Sequence, residues 1–228
     1  MNESDWLSPS NAQEAKDAQS AMAEKVIVKD DFGPLQWIGG MDVSNFRFDP
    51  NRRIFAACVV LAKESRKVEE VAVALQEWSF PYIPGLLAFR EAPALVAAFK
   101  KLKRRPDLLM LDGQGISHPR GLGIASHLGV LLDIPTIGVA KSILVGAPTS
   151  VLGMEAGSQV PLVYNGKCVA MLLRSKKNTK PLVISIGHRI SLDTALILVK
   201  SMLGGYRLPE PTRQAHIAAN AFRRKIHS

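Results

Sequence analysis

The chain has few cysteines, few aromatic residues and no long apolar run. Its two cysteines, Cys58 and Cys168, lie in strand-like apolar segments, with no Cys-x-x-Cys spacing and no zinc-ligand pattern around them. This argues against a disulfide framework or a zinc centre, and we expect both thiols to be buried and reduced. No window approaches 18 consecutive apolar residues, and no basic start precedes an apolar run. We therefore expect a soluble, cytoplasmic protein with no membrane contact.

The length and composition favour one α/β domain. The 228 residues are 47% hydrophobic and only 6% aromatic, which suits a full sheet with helices on its faces. We expect a single domain over residues 1–228, with frayed ends at about 1–9 and 220–228.

The charge of the chain points to an acidic partner. A net charge of +9 and a pI near 9.7 favour nucleic acid or an anionic membrane surface, although a generally basic soluble protein fits the same values. The basic residues cluster at 100–105, 174–180 and 223–225. The second cluster is the better candidate for phosphate contact, because it lies in a predicted loop between two strands.

Hydrophobic periodicity predicts a mixed sheet flanked by helices. We expect strands at 36–43, 53–63, 69–77, 108–112, 136–140, 160–164, 167–174 and 182–187. We expect helices at 10–28, from the turn at 80–85 to about 102, and then at 122–132, at 191–203 and from about 212. The first three strands should form an antiparallel meander, the segment 108–140 a βαβ unit, and residues 145–160 a loop.

Three carboxylates lie where apolar segments, which we expect to be buried, are followed by polar ones. Asp42 and Asp112 each end an apolar run and are followed by Ser or Gly within two residues, and Glu91 follows a proline-flanked aromatic turn. Strand ends of this kind open into ligand crevices, and carboxylates suit the hard cations Mg²⁺ and Mn²⁺. Either aspartate alone also fits a simple turn cap, but the three together in a basic protein predict a metal site that meets a polyanion.

Two further motifs carry alternative interpretations. The glycine-rich loop that begins at Asp112-Gly113 resembles a nucleotide cradle, but it lacks the full dinucleotide fingerprint and a Walker lysine. Tyr82, between Pro81 and Pro84, is either a rigid aromatic that wedges between bases or a ring packed on the protein's own surface.

The histidines differ in their sequence surroundings. His127 lies within an apolar helix and is expected to be a packing residue with its polar atoms satisfied. His216 lies on the opening turns of the last helix, where it could orient a water molecule or contact a phosphate. A plain surface histidine is the alternative for His216.

In this order, the motifs resemble the endonuclease V family, the deoxyinosine-directed repair nucleases. The matching segments are Gly40-Met41-Asp42-Val43-Ser44, Pro81-Tyr82-Ile83-Pro84-Gly85, Phe89-Arg90-Glu91, Asp112-Gly113 through His118-Pro119-Arg120, Gly138-Val139-Ala140-Lys141, Gly187-His188-Arg189 and Tyr206 through Arg213. They extend over residues 37–216, whereas the chain up to about residue 30 and the tail after His216 match no motif.

The resemblance implies an α/β ribonuclease H-like fold with a central mixed sheet. It also implies Mg²⁺-dependent hydrolysis, with Mn²⁺ able to substitute, of the second phosphodiester bond 3′ to a deaminated base, leaving a 3′-hydroxyl and a 5′-phosphate. The substrate would be DNA containing deoxyinosine, with inosine-containing RNA as a further candidate, and the protein is expected to be a monomer.

The resemblance also assigns roles by position. The implied metal ligands are Asp42, Glu91 and Asp112, and the accessory catalytic residues are His216 and Lys141. The strand-separating wedge comprises Pro81, Tyr82, Ile83 and Pro84, and the base pocket Gly85, Leu87 and Gly113. The position of Gln114 departs from several relatives, so we assign it no catalytic role.

Two other function classes fit parts of the sequence. One is a nucleic-acid-binding protein that kept the fold and lost cleavage, which the three intact carboxylates disfavour. The other is a metal-free acid/base hydrolase of small acidic substrates, which predicts activity in chelator.

Overall fold

The computed structural model describes residues 6–45 and 49–227. Its main helices are α1 (Ala12–Ala23), α2 (Leu87–Lys100), α3 (Ile124–Leu132), α4 (Leu192–Ser201) and α5 (Glu210–His227). Its strands are β1 (Trp37–Ser44), β2 (Arg53–Ala62), β3 (Val68–Glu77), β4 (Leu108–Leu111), β5 (Thr136–Ala140), β6 (Ala147–Pro148), β7 (Gln159–Tyr164), β8 (Lys167–Leu173) and β9 (Leu182–His188).

The strands form one mixed sheet in the order β3-β2-β1-β4-β5-β9-β8-β7-β6. Strands β1, β4 and β5 run parallel to one another, and all other described neighbours are antiparallel. The predicted meander and βαβ unit are therefore confirmed. Parallel neighbours end at the same edge of a sheet, so the chain segments that follow β1, β4 and β5 are brought together.

Alternating residues of the central strands bury both faces of the sheet. Met41 and Leu109 belong to an apolar cluster with α2 and α3, whereas Ile38 and Met110 belong to a second cluster with α4. Successive strand side chains point to opposite faces, so one apolar run supplies both clusters. The central strands are thus held rigidly from two sides.

The N-terminal helix starts and ends differently from the prediction. The expected capping box at Ser10–Gln13 is shifted by one residue: Asn11 Oδ1 accepts from the amides of Gln13 and Glu14, at 2.9 and 3.0 Å. Glu14 reaches back in the manner of a capping box, but it accepts from the amide of Ser10, the residue before the N-cap, at 2.9 Å and from Asn11 Nδ2 at 2.8 Å. The helix ends at Ala23 rather than near residue 28.

Several other boundaries differ slightly. α2 continues through Pro93 without a break, and α3 begins at Ile124 because Gly123 is its N-cap. The expected loop at 145–160 contains the short strand β6, which pairs with β7. The last helix begins at Glu210 and runs through the segment that was expected to be frayed.

The prediction that both cysteines are buried is wrong for one of them. Cys58 is buried in β2, but Cys168 is exposed. Cys168 lies beside the turn that joins β7 to β8, near the end of the sheet order, where its neighbour Lys167 is also exposed. In the described parts of the chain no helix is long and apolar enough to cross a membrane.

Candidate active site

The two aspartates meet at the edge where the parallel strands end. Met41 pairs with Leu111 in the β1–β4 register, and the Asp112 amide donates to the Met41 carbonyl at 3.1 Å. Asp42 and Asp112 each follow one of these paired residues. Asp42 is 8% exposed, and the Asp112 side chain is 11% exposed. Strand pairing therefore fixes the backbone of both carboxylates before any ligand binds.

Helix α5 brings His216 to the same edge, because Gly40 in β1 leaves no side chain between strand and helix. A Cβ on Gly40 would lie 1.9 Å from the Pro211 carbonyl oxygen, so any other residue would push α5 away. His216 Nδ1 lies 2.7 Å from Asp42 Oδ2. The close approach at Gly40 thus joins the last helix to the carboxylate site.

Lys141 follows β5 and forms an ion pair with Asp112 Oδ2. Arg207 holds the segment in place by donating to the Lys141 carbonyl at 2.9 Å. The Lys141 side chain is 39% exposed, so its ammonium reaches both the carboxylate and the open crevice.

Burial and neighbouring negative charge raise the affinity of Asp42 and Glu91 for protons. Burial, with the nearby Asp112 charge, raises the pKa of Asp42 to about 6, although the His216 hydrogen bond opposes this shift. Burial, followed by the charges of Asp42 and Asp112, raises the pKa of Glu91 to about 8. A group of negative charges that destabilise one another is stabilised by a cation placed among them.

The donor atoms fit a divalent cation. Asp42, Asp112 and His216 each offer a ligand atom, and these atoms lie within 4.8 Å of one another. Glu91 lies outside that group but lines the adjoining pocket with Asp112. Carboxylate oxygens suit Mg²⁺ and Mn²⁺, whereas imidazole nitrogen favours softer metals. The carboxylates are therefore the better ligands for a hard cation, and His216 is placed beside them.

A relay of polar side chains that was not predicted from the sequence holds His216. Asn220 Nδ2 lies 3.1 Å from His216 Nε2 and donates to the His216 carbonyl at 2.9 Å, and Ser44 Oγ donates to Asn220 Oδ1 at 2.8 Å. Because Asn220 presents a donor, Nε2 of a neutral His216 is the acceptor and Nδ1 carries the hydrogen given to Asp42. The four-residue spacing between His216 and Asn220 was the available signal.

A pocket of about 340 Å³ adjoins the carboxylates. Gly85, Leu87 and Gly113 all line it, as do Glu91 and Lys141. This volume is within the range of small-molecule sites. The structure therefore places the expected base-pocket residues beside the expected catalytic ones.

The aromatic turn stands at the rim of this pocket. The Leu86 amide donates to the Ile83 carbonyl at 2.9 Å, and Gly85 has φ +78°, as in a type II turn with Pro84 at its second position. Pro81 and Pro84 are exposed, Ile83 is half-buried and Tyr82 is 62% exposed. The Tyr82 ring thus projects outward rather than packing on the protein surface.

Other residues from the sequence analysis have structural roles. Gln114 lines the pocket and donates to the Ser142 carbonyl at 2.8 Å, which ties the glycine-rich loop to the segment after β5. His127 is fully buried and its Nε2 lies 2.7 Å from the Trp6 carbonyl, as expected for a packing residue, but its Nδ1 has no partner among the described residues.

The basic cluster at 174–180 is only partly available to a ligand. Arg174 is buried, and it donates to the carbonyls of Gly153, at 2.5 Å, and Thr179. The expectation of a phosphate contact is therefore wrong for Arg174, which holds its own loop together. Lys176 and Lys180 are exposed.

Known proteins resemble the chain over almost its whole length. A family model described as Endonuclease V matches residues 20–217. Endonuclease V of Rhodospirillum centenum is 54% identical over 222 residues, which are 97% of this chain and 92% of that protein. The crystal structure of Streptomyces avermitilis endonuclease V is 37% identical with a TM-score of 0.89, over 96% of each chain.

A second solved relative carries nucleic acid. Ciona intestinalis endonuclease V, in complex with a 24-mer DNA containing an inosine followed by a ribo-adenosine, is 29% identical with a TM-score of 0.81. The match covers 94% of this chain and 98% of that one. The mixed sheet and its flanking helices are the expected ribonuclease H-like fold. The chain is a nuclease of the endonuclease V family.

Proposed function

We propose that this protein is a DNA repair endonuclease that nicks DNA at the second phosphodiester bond 3′ to deoxyinosine and related deaminated bases. The products would be a 3′-hydroxyl and a 5′-phosphate. The observation that carries the proposal is the convergence of Asp42, Asp112 and His216 beside a pocket with an exposed aromatic at its rim. One catalytic domain over residues 1–228 would perform the reaction.

Asp42, Glu91 and Asp112 would hold Mg²⁺, with Mn²⁺ as a substitute. Burial, together with the neighbouring carboxylates, raises the pKa of Asp42 and Glu91, and a bound cation would offset both effects. Such an ion supplies charge stabilisation to the reacting phosphate and lowers the pKa of bound water. The rigid strand ends would hold the carboxylates in place as the substrate binds.

His216 would take part in proton transfer, and Lys141 would stabilise negative charge during the reaction. The Nδ1–H of His216 orients one Asp42 oxygen, and its Nε2, which faces the Asn220 amide, would be the atom that accepts a proton from water. Lys141 offsets the negative charge of Asp112 and presents its ammonium to the phosphate. A general base contributes roughly 10²- to 10⁴-fold in rate.

The pocket would receive the deaminated base after it leaves the stack. Extrusion costs a few kcal/mol, and less at a damaged or mismatched pair. Tyr82, held by Pro81, Ile83 and Pro84, would fill the gap, since stacking on an aromatic ring contributes about 1 to 3 kcal/mol per base. Backbone groups around Gly85, Leu87 and Gly113 would favour the O6 and N1–H edge of hypoxanthine over the opposite pattern of adenine.

The test is nicking of a labelled duplex that carries one deoxyinosine, with an undamaged duplex beside it. With Mg²⁺, the intact protein should cut at the second phosphodiester bond 3′ to the lesion, and chelator should abolish the cut. The Asp112→Ala variant should be inactive. Glu155→Gln removes an exposed carboxylate that pairs with the exposed Lys177, and it should cut normally.

Two results would contradict the proposal. Cleavage that persists in chelator would favour metal-free acid/base hydrolysis. Binding of inosine DNA without cleavage in either Mg²⁺ or Mn²⁺ would favour a binding protein, and inosine-containing RNA would then be the next substrate.

A further inference from the structure

We propose that Gln19, in the N-terminal helix α1, is a positioning residue that holds the two walls of the base pocket together and thereby sets discrimination for the deaminated base. This inference rests on the proposed function. It gives a role to a helix that lies outside the sequence motifs on which the family resemblance rests.

Gln19 reaches both walls with one amide group. Its Nε2 donates to the Gly85 carbonyl at 3.0 Å and to the Leu122 carbonyl at 2.9 Å. Gly85 belongs to the aromatic turn, and Leu122 to the glycine-rich loop before α3. Gln19, Gly85 and Leu122 all line the 340 Å³ pocket. The amide therefore spans the seam between two chain segments that are far apart in sequence.

Arg120 bonds to both Gln19 and Gly85, and the three residues form a hydrogen-bond network. Its Nε donates to Gln19 Oε1, and its terminal NH2 group donates to the Gly85 carbonyl at 2.6 Å. Both amide hydrogens and the amide oxygen of Gln19 are thus engaged. The Gly85 carbonyl accepts from Gln19 of α1 and from Arg120 of the glycine-rich loop, and the His118 side chain of the same loop also hydrogen-bonds to the Gly85 backbone. Its direction is therefore held by side chains from α1 and from the glycine-rich loop together.

The backbone at Gly85 needs such support. Its φ of +78° is a conformation that glycine alone adopts readily, and glycine is also the most flexible residue. A Cβ at this position would lie 2.8 Å from the Arg120 guanidinium, so the turn and the network are packed closely. Without donors on its carbonyl, the turn that carries Tyr82 and one wall of the pocket would gain freedom.

The helix is anchored so that Gln19 can act. Gln19 is 1% exposed and lies on the buried face of α1 with Ala15, Ala18 and Met22. Burying an amide side chain costs desolvation free energy unless all its hydrogen-bond partners are present. Leucine or methionine would fill the same space with no polar requirement, so packing alone does not account for glutamine.

The experiment compares Gln19→Glu with the intact protein. Glutamate has the same shape, but it places an acceptor oxygen against two carbonyl oxygens and retains only the Arg120 contact. Affinity is measured in chelator, so that no cutting occurs, for an inosine duplex and for the same duplex with adenine. We expect the affinity ratio to fall about tenfold, the effect of one to two lost buried hydrogen bonds. The Mg²⁺-induced rise in melting temperature should be unchanged.

Met22→Ala is the matched control, because it weakens the docking of the same buried helix face and removes none of the four hydrogen bonds described for the network. If Met22→Ala lowers the inosine preference as much as Gln19→Glu at an equal loss of melting temperature, the role of Gln19 is structural only. An unchanged preference in Gln19→Glu also overturns the inference, while the intact protein still nicks inosine DNA. If the intact protein neither prefers nor nicks inosine DNA, the proposed function fails as well.

Discussion

His216 Nδ1 lies 2.7 Å from Asp42 Oδ2, although the two residues are 174 positions apart in the chain. The contact exists because Gly40 lets α5 lie directly on β1. It joins the last helix to the carboxylate site, and it orients one Asp42 oxygen through a hydrogen bond with His216.

Removing this histidine should affect catalysis more than binding. We expect His216→Ala to lower kcat by about 10²-fold, since it removes a proton-transfer group, and Asn220→Ala to lower kcat by less because His216 remains. Inosine-duplex affinity in chelator should change little. Gln214→Ala, on the same helix and bonded to Glu210, is the control and should keep full activity.

Glu91→Gln should leave the stability of the metal-free protein nearly unchanged but weaken its stabilisation by Mg²⁺. With a pKa of about 8, the Glu91 carboxyl of the metal-free protein is mostly protonated at pH 7, so an isosteric amide should change the free energy of unfolding by less than about 1 kcal/mol. In the intact protein, a cation at 100 times its Kd adds about 2.7 kcal/mol. Thermal melts with and without Mg²⁺ should show this rise in the intact protein and a much smaller one in the variant. An equal rise in both would remove Glu91 from the ligand set.

Tyr82 should contribute to activity and not to stability. Its ring is 62% exposed, so Tyr82→Ala should leave the melting temperature within experimental error. The lost stacking of about 1 to 3 kcal/mol predicts roughly 5- to 150-fold weaker binding of the inosine duplex. Tyr82→Phe keeps the ring and should bind normally. A defect of equal size in both variants would mean that the hydroxyl matters and not the wedge.

Gly113→Ala should weaken discrimination for inosine, because the added methyl group would meet Ile124 beside the pocket. A Cβ there would lie 2.3 Å from Ile124 Cγ2, so the single variant pushes the Ile124 side chain within the pocket. Gly113→Ala with Ile124→Ala relieves the overlap, but loss of the buried Ile124 side chain alone costs about 2 to 5 kcal/mol, so Ile124→Ala is the reference variant. Cutting rates on inosine and undamaged duplexes would measure the ratio. Because Ile124 also lines the pocket, a double variant with the same ratio as Ile124→Ala alone would count against Gly113 as part of the base pocket.

The buried His127 should make the protein sensitive to acid. Burial lowers the pKa of His127 from 6.5 to about 4, so between these values the unfolded chain binds more protons than the folded one. The free energy of unfolding is therefore not reduced by this histidine above pH 6.5, and it falls by roughly 3 kcal/mol as the pH decreases towards 4. His127→Phe should remove this component. Urea unfolding at several pH values measures it, and parallel curves for both proteins would contradict the assignment.

The sequence alone determined much of the fold, because it depends on local patterns. Apolar runs, turns and caps were sufficient to place the sheet strands and most helices within a few residues. Asp42 and Asp112 could be recognised because they end apolar runs, and Tyr82 because its flanking prolines stiffen the turn. These signals lie within a few residues of the side chain concerned.

Only the tertiary structure decided which distant polar groups meet. The relay through Asn220 and Ser44 and the contacts of Gln19 with Gly85, Leu122 and Arg120 join segments up to 176 residues apart. The sequence does not distinguish a buried amide side chain from a solvated one, because the hydrogen-bond partners of each depend on how the helices dock on the sheet. Local periodicity could place Gln19 on the buried face of α1, but the docking of that helix determined that this face closes the pocket.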